Sequence, residues 1–192
     1  VGRVKVLNNT MKPKFVKYYM EIAELTAKLS YAVRLNVGAV IVKGNQILAT
    51  GYNGMPSGWE NVCERKVFSR FSDINPHTDP ITYEYISQEI LDEQYPYIEY
   101  VGDKPVNRYT LVSKPEVLHA ERNCLDKVAA SNESTLGATL FVTHSPCLEC
   151  AKSIYNTGIS DVYYKHEYRS NAGIDFLKKT GVKVHKYAEP DL

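Results

Sequence analysis

From about residue 118 onward, segments of helical spacing alternate with short apolar runs, and this rhythm limits the possible folds more than any other feature. Helical spacing over 118–130, 147–157 and 171–179 is interleaved with strand-like runs at 138–143, 161–166 and 182–187, with Gly137, Gly158 and Gly181 near the junctions. Strands separated by helices lie parallel, and the crossover helices cover the faces of the sheet. Ahead of them, 37–42 and 46–52 are β-rich runs joined at Lys43, Gly44 and Asn45, and a Gly-Asn pair between apolar runs marks an antiparallel hairpin. Phe15, Tyr18, Tyr19, Ile22, Leu25, Ala27 and Leu29 fall on one face of a helix expected over 14–33. The expected fold is α/β, a three-layer αβα sandwich around a mixed five-stranded sheet.

Between Asn53 and Pro115 the rhythm breaks, with Pro56, Pro76, Pro80, Pro96, Pro105 and Pro115 punctuating a stretch rich in Tyr and charge. It reads as an insertion at about 60–115, carrying a short helix over 81–94 with Glu84, Glu89, Asp92 and Glu93. A structureless loop of that length is uncommon, so the insertion is expected to have structure and a role. At 192 residues, 44% of them hydrophobic, the chain suits a single domain, 1–192, with one core.

Composition narrows the partners. The 23 basic and 22 acidic residues give a formal charge of +1, whereas duplex binders carry a strong basic excess, so bulk nucleic acid is disfavoured and small phosphorylated ligands stay open. No apolar run approaches the roughly 20 residues of a membrane span, and no signal peptide is visible. Four cysteines, Cys63, Cys124, Cys147 and Cys150, without a secretory signal point to a reducing compartment, the cytoplasm by default.

The chemistry concentrates in His119-Ala120-Glu121 and Pro146-Cys147-Leu148-Glu149-Cys150. One His and two Cys supply three ligands, which leaves a tetrahedral zinc with its fourth position open, a catalytic rather than a structural count. Cys147 and Cys150 share a face if Pro146 starts a helix, and the positive end of that helix favours the thiolates zinc requires. His119 and Glu121 would point to nearly opposite sides of a regular helix, so they belong at a helix entrance, with His119 on the metal and Glu121 beside the water as proton carrier. Taken singly, a Cys-x-x-Cys reads as a redox pair or a buried coincidence, His119 as a core histidine and Glu121 as a solvated charge. In register with one βα pattern, coincidence becomes the poorer reading.

H-x-E paired with P-C-x-x-C is the signature of zinc nucleobase deaminases. With Gly51-Tyr52-Asn53-Gly54, Met55-Pro56-Ser57-Gly58, Asn123 two places after Glu121 and Tyr95-Pro96-Tyr97, the chain resembles the cytidine deaminase superfamily and, within it, the deoxycytidylate deaminases. The match runs over about 16–60 and 116–187. The resemblance implies deamination of dCMP to dUMP and ammonia, supplying dUMP for thymidylate synthesis, with Glu121 protonating N3 and then the departing amine. It places Asn53, Ala120, His144 and Ser145 around base and sugar. Tyr168 and Arg169, after the strand at 161–166, are candidates for the 5′ phosphate. It also implies an allosteric nucleotide pocket at Gly51, Tyr52, Asn53 and Gly54, with Arg34 on the effector phosphates, taking dCTP with Mg2+ as activator and dTTP as inhibitor. A homo-oligomer, a hexamer in the family, is expected.

The relatives also mark departures. Some phage-type members hold a second zinc, but only Cys63 matches a ligand and its partner near Ala32 is missing, so one Zn2+ per chain is expected. Arg122, where a Leu is usual, reads best as a solvent-facing helix residue. Rival functions are a bifunctional dCTP/dCMP deaminase, an adenosine deaminase of tRNA or other nucleic acid, and a non-catalytic zinc or nucleotide-binding module. Near-neutral charge disfavours the second, and Glu121, which a structural site would not need, disfavours the third.

Overall fold

A computed structural model describes residues 11–68 and 92–189 of the chain. Helix α1 (Pro13–Ala27) leads into the hairpin β1 (Gly38–Lys43) and β2 (Gln46–Tyr52). The stretch read as an insertion contributes β3 (Glu64–Phe68), β4 (Tyr97–Val101) and β5 (Lys104–Ser113). Then follow α2 (Ala120–Ala129), β6 (Thr139–His144), α3 (Leu148–Asn156), β7 (Asp161–His166), α4 (Ala172–Lys179) and β8 (Lys183–Lys186).

The main sheet has five strands in the order β2-β1-β6-β7-β8. Strand β1 is antiparallel to β2 and β6, and β6, β7 and β8 are parallel, which is the mixed sheet expected from a hairpin followed by strand–helix units. In the hairpin turn Gly44 and Asn45 both take positive φ, 54° and 64°, the backbone a tight two-residue turn requires.

Alternation along the central strands builds the three layers. Val40, Val42, Phe141 and Tyr163 face Tyr19, Met20 and Ala23 of α1. Ala39, Ile41, Leu140, Val142 and Val162 face the opposite way, onto Cys124, Leu125 and Val128 of α2, Ala151 and Ile154 of α3, and Ile174 and Leu177 of α4. Strands covered on both faces read as unbroken apolar runs, which explains Gly-Ala-Val-Ile-Val in β1. Fully buried side chains such as Phe141 and Met20 each contribute roughly 1.5–3 kcal/mol of hydrophobic burial. The Lys165 ammonium ties α1 to the last described residues by pairing with both Glu24 and Glu189.

One sequence expectation changes and another gains detail. Helix α1 stops at Ala27, short of residue 33, because Ser30 offers the backbone other partners: its hydroxyl accepts from the Ala32 N–H at 3.1 Å and donates to the Asn53 carbonyl at 2.7 Å. Leu29, Tyr31 and Val33 beyond it are exposed, so their apolar character does not mark a helix face. The insertion forms a three-stranded antiparallel sheet in the order β3-β5-β4. Pro105 is tolerated inside β5 because it sits opposite Tyr100, beside the register irregularity between Glu99 and Tyr100. The helix expected over 81–94 falls outside the described residues except for 92–94, which are helical.

Candidate active site

The carboxyl ends of β6 and β7, the chain entering β1 and the chain leaving β2 come together at one end of the sheet. In open α/β folds this is where loops form a ligand crevice. A cavity of about 570 Å³ lies there, within the range of small-molecule sites.

Two helix entrances supply its floor. His119 is the N-cap of α2 with extended backbone (φ −74°, ψ 154°), and Cys147 is the N-cap of α3 (φ −68°, ψ 168°). Each cap residue is thereby turned away from its helix, while Glu121 and Cys150 lie in the first turns that follow. His119 Nδ1 is 3.6 Å from Cys147 Sγ and 3.4 Å from Cys150 Sγ. A tetrahedral zinc with bonds of about 2.3 Å to sulfur and about 2.0–2.1 Å to nitrogen needs an N–S separation of about 3.5–3.6 Å, so the donors fit that ion. Two sulfurs and an imidazole are wrong for Mg2+ or Ca2+, which take oxygen ligands. Among the described residues this is the one group of three His, Cys, Asp or Glu side chains close enough to share a metal.

The electrostatics divide the roles. Hydrogen bonds from Cys150 and His119 hold the Cys147 thiol far below the ordinary thiol range. Cys150 moves the other way, as donor to Cys147 and by burial, so a second thiolate here needs a cation beside it. His119 is pushed up, chiefly by its hydrogen bond with Cys147. Glu121 is only 4% exposed, and burial pushes its carboxyl above the usual carboxylate range. A carboxyl whose pKa is raised in this way is a better proton acceptor than an exposed one, as a group that carries protons between water and substrate requires.

Close backbone contacts fix these elements. A side chain at Gly173 would place its Cβ 2.0 Å from the Pro146 carbonyl oxygen, so only glycine lets α4 pack against the Pro146–Cys147 turn. A Cβ at Gly51 would lie 2.6 Å from the Ala120 carbonyl oxygen, so β2 and α2 also touch through a glycine. Asn123 donates to the Tyr52 carbonyl at 3.0 Å, and Gly54 and Leu118 exchange backbone hydrogen bonds at 3.1 and 2.9 Å. The Gly51–Gly54 stretch thus props the turn that presents His119.

Of the residues expected around a substrate, Asn53, Ala120, His144, Ser145, Tyr168 and Arg169 all line the cavity with His119, Glu121 and Cys147. Ser145 joins the loops after β6 and β7: its N–H donates to the His166 carbonyl, and its hydroxyl accepts from the Tyr168 N–H, both at 2.8 Å. Burial and then the neighbouring His166 hold His144 below the ordinary histidine range, so it is neutral at pH 7. Arg34 lines this same cavity, whereas Gly51, Tyr52 and Gly54 do not. Arg122 points away and pairs with Asp126 at 2.9 Å. Cys63 is buried, and burial raises its thiol. Glu64, Ser113, Lys114 and Glu167 are also in the walls, and the sequence alone does not single them out. The first three come from the insertion, and no spacing motif links them to the metal-binding pairs.

An open three-donor centre with a buried acid at its side defines the class as a metal-dependent hydrolytic enzyme on an αβα scaffold. Comparison with known proteins narrows the class. The model of the cytidine and deoxycytidylate deaminase zinc-binding region matches residues 13–166, and the chain belongs to that family. It is 30% identical to the deoxycytidylate deaminase of Enterobacteria phage T4 over 185 residues, covering 90% of each chain. It is 31% identical to the Saccharomyces cerevisiae deoxycytidylate deaminase over 179 residues, covering 93% of this chain but 46% of that longer one. Among solved structures, the dCMP deaminase of cyanophage S-TIM5 in complex with dCMP and dUMP superposes with a TM-score of 0.67 at 36% identity, covering 93% of this chain and 100% of that one.

Proposed function

We propose that the chain hydrolyses dCMP to dUMP and ammonia. The observation that carries this reading is the buried Glu121 beside the grouped donors His119, Cys147 and Cys150, where Glu121, His119 and Cys147 line a cavity that also has Arg34, Lys114 and Arg169 in its walls. The phage T4 and yeast relatives named deoxycytidylate deaminase support the substrate, as does the cyanophage enzyme solved with dCMP and dUMP.

His119, Cys147 and Cys150 would hold one zinc ion, which when bound lowers the pKa of a water and makes it a nucleophile near neutral pH. Glu121 would accept a proton from the attacking water, pass it to N3 of the cytosine, and deliver the proton given up by the new C4 hydroxyl to the amine leaving C4. Water adds and ammonia leaves, so dCMP and H2O become dUMP and NH3. The backbone at Ala120 and Ser145 reads the amide edge of the base, neutral His144 lines its pocket, and Asn53 faces base and sugar. Arg34, Tyr168 and Arg169 take the 5′ phosphate, with the guanidinium groups as charge-assisted donors.

The reading extends to control and assembly. The family's regulation would bring dCTP with Mg2+ as activator and dTTP as inhibitor to the Gly51–Gly54 side of β2, in a cytoplasmic homo-oligomer, a hexamer. No helix among the described residues is long and apolar enough to cross a membrane.

A substrate panel tests the choice of nucleotide. Purified zinc-loaded protein is given dCMP, dCTP, deoxycytidine and a tRNA stem, each with and without dCTP/Mg2+ or dTTP. Preferred turnover of dCMP, raised by dCTP and lowered by dTTP, is the expected result. Preference for dCTP or for the tRNA adenosine would replace the substrate assignment.

A further inference from the structure

The stretch between β2 and α2 reaches the cavity through Glu64, Ser113 and Lys114, and Glu64 is the carboxylate among them. Glu64 opens β3, is 8% exposed, and lines the cavity wall. Its Oε1 accepts from the backbone N–H of Val33 at 3.1 Å and of Arg34 at 3.3 Å. Directly across the β3/β5 ladder stands Ser113, whose hydroxyl accepts from Arg34 Nη1 at 3.3 Å. Two facing residues of the insertion therefore grip Arg34 at both ends, main chain and guanidinium.

Those grips matter because the chain from 28 to 37 has neither helix nor strand. An arginine on such a segment carries about 2 kcal/mol of rotamer entropy, and ordering it before the ligand arrives removes that cost from binding. Glu64 is committed to the main chain of this segment. Its Oε1 is engaged by two N–H groups, which a free acid in a cavity wall would lack.

We infer that Glu64 is a positioning residue for phosphate recognition: it fixes the Arg34 backbone so that the guanidinium, steadied by Ser113, faces the 5′ phosphate of the nucleotide. The inference rests on the reading of the cavity as a dCMP site and deepens it, by giving the insertion a part in telling a nucleotide from a nucleoside.

Binding of the product, measured by titration calorimetry, separates the inference from the catalytic reading because it needs no turnover. Wild-type protein is titrated with dUMP and with deoxyuridine, beside R34A, E64A, E64Q, S113A and the R34A/E64A double variant. Loss of one held charge-assisted contact is worth roughly tenfold or more in affinity, so R34A and E64A should each weaken dUMP by about that factor and leave deoxyuridine unchanged. E64Q keeps an oxygen acceptor for both N–H groups and should bind dUMP like wild type. The double variant should be no weaker than R34A. S113A, at an exposed position, should weaken dUMP by about threefold and provides the test should E64A not fold. In turnover of dCMP, E64A should raise KM and leave kcat within about twofold. The inference is overturned if E64A or S113A leaves dUMP affinity unchanged, if E64A weakens both ligands equally, or if wild type does not bind dUMP. Tight dUMP binding with these variant effects, but without any deamination, would uphold Glu64 and remove the catalytic reading alone.

Discussion

Asn53 and Val37 are joined side chain to backbone: Asn53 Oδ1 accepts from the Val37 N–H at 2.8 Å, while its Nδ2 donates to the Leu35 carbonyl at 2.8 Å. The residue that leaves β2 thus sets the chain entering β1, and both lie in the cavity wall. Replacing the amide by a carboxylate keeps the first bond but sets an anion against the Leu35 carbonyl. Asn53→Asp should lower stability by about 1–3 kcal/mol, read from urea unfolding, and should reduce turnover as well. Wild-type stability in this variant would show that the amide orientation is not structural.

Gly173 makes a second prediction. Its Cβ position is filled by the Pro146 carbonyl oxygen at 2.0 Å and by Cys147 backbone atoms at 2.9 Å, so Gly173→Ala must push α4 away from the turn that carries a metal donor. Overpacking of this kind typically costs about 1–3 kcal/mol. The variant should unfold at lower temperature and lose zinc to a chelator faster than wild type. Unchanged zinc retention would mean that Cys147 is held by α3 alone.

Glu121→Gln keeps the shape of the buried side chain and removes the proton carrier. Turnover should fall by about 10²–10⁴-fold, the usual worth of a positioned acid–base group, with zinc content unchanged by elemental analysis. Because burial raises the carboxyl pKa, ionised Glu121 weakens the metal-free fold as pH rises, and the neutral amide lacks that penalty. In metal-free protein at pH 8, Glu121→Gln should therefore melt no lower than wild type.

His144 gives the pH prediction. Burial, then the charge of His166, depresses its pKa below the ordinary 6.5, so the unfolded chain takes up the proton first as pH falls. The stability tied to neutral His144 is fully present above that ordinary value and is lost as pH drops through the folded one. His144→Asn should flatten the acid side of a melting-temperature profile below pH 6.5 and leave the neutral side in place. An unaltered acid limb would exclude His144 as its source.

Much of the fold could be read from the residues, for reasons that are local. The Gly44-Asn45 turn and the two-sided burial of β1, β6 and β7 leave direct marks on the sequence, as do the helix entrances at His119 and Cys147. What could not be read depends on partners distant in the chain. Leu29 extends the apolar pattern past Ala27, yet the helix yields to hydrogen bonds that Ser30 makes with Ala32 and Asn53. Pro105 reads as a strand breaker and sits in β5 because Tyr100 opposite lies at an irregularity. Arg34 lines the cavity of Glu121, held there by hydrogen bonds to Glu64 and Ser113, which are 30 and 79 residues away. Sequence distances of that size leave no periodic trace.

The most direct measurement is formation of dUMP from dCMP by zinc-loaded wild-type protein, followed by chromatography with ammonia release counted in parallel. Equal amounts of dUMP and ammonia should appear, with the rate abolished in Glu121→Gln. Zinc-loaded, folded protein that binds dCMP yet yields neither product, or a Glu121→Gln variant that yields both at the wild-type rate, would contradict deamination by Glu121 at this centre.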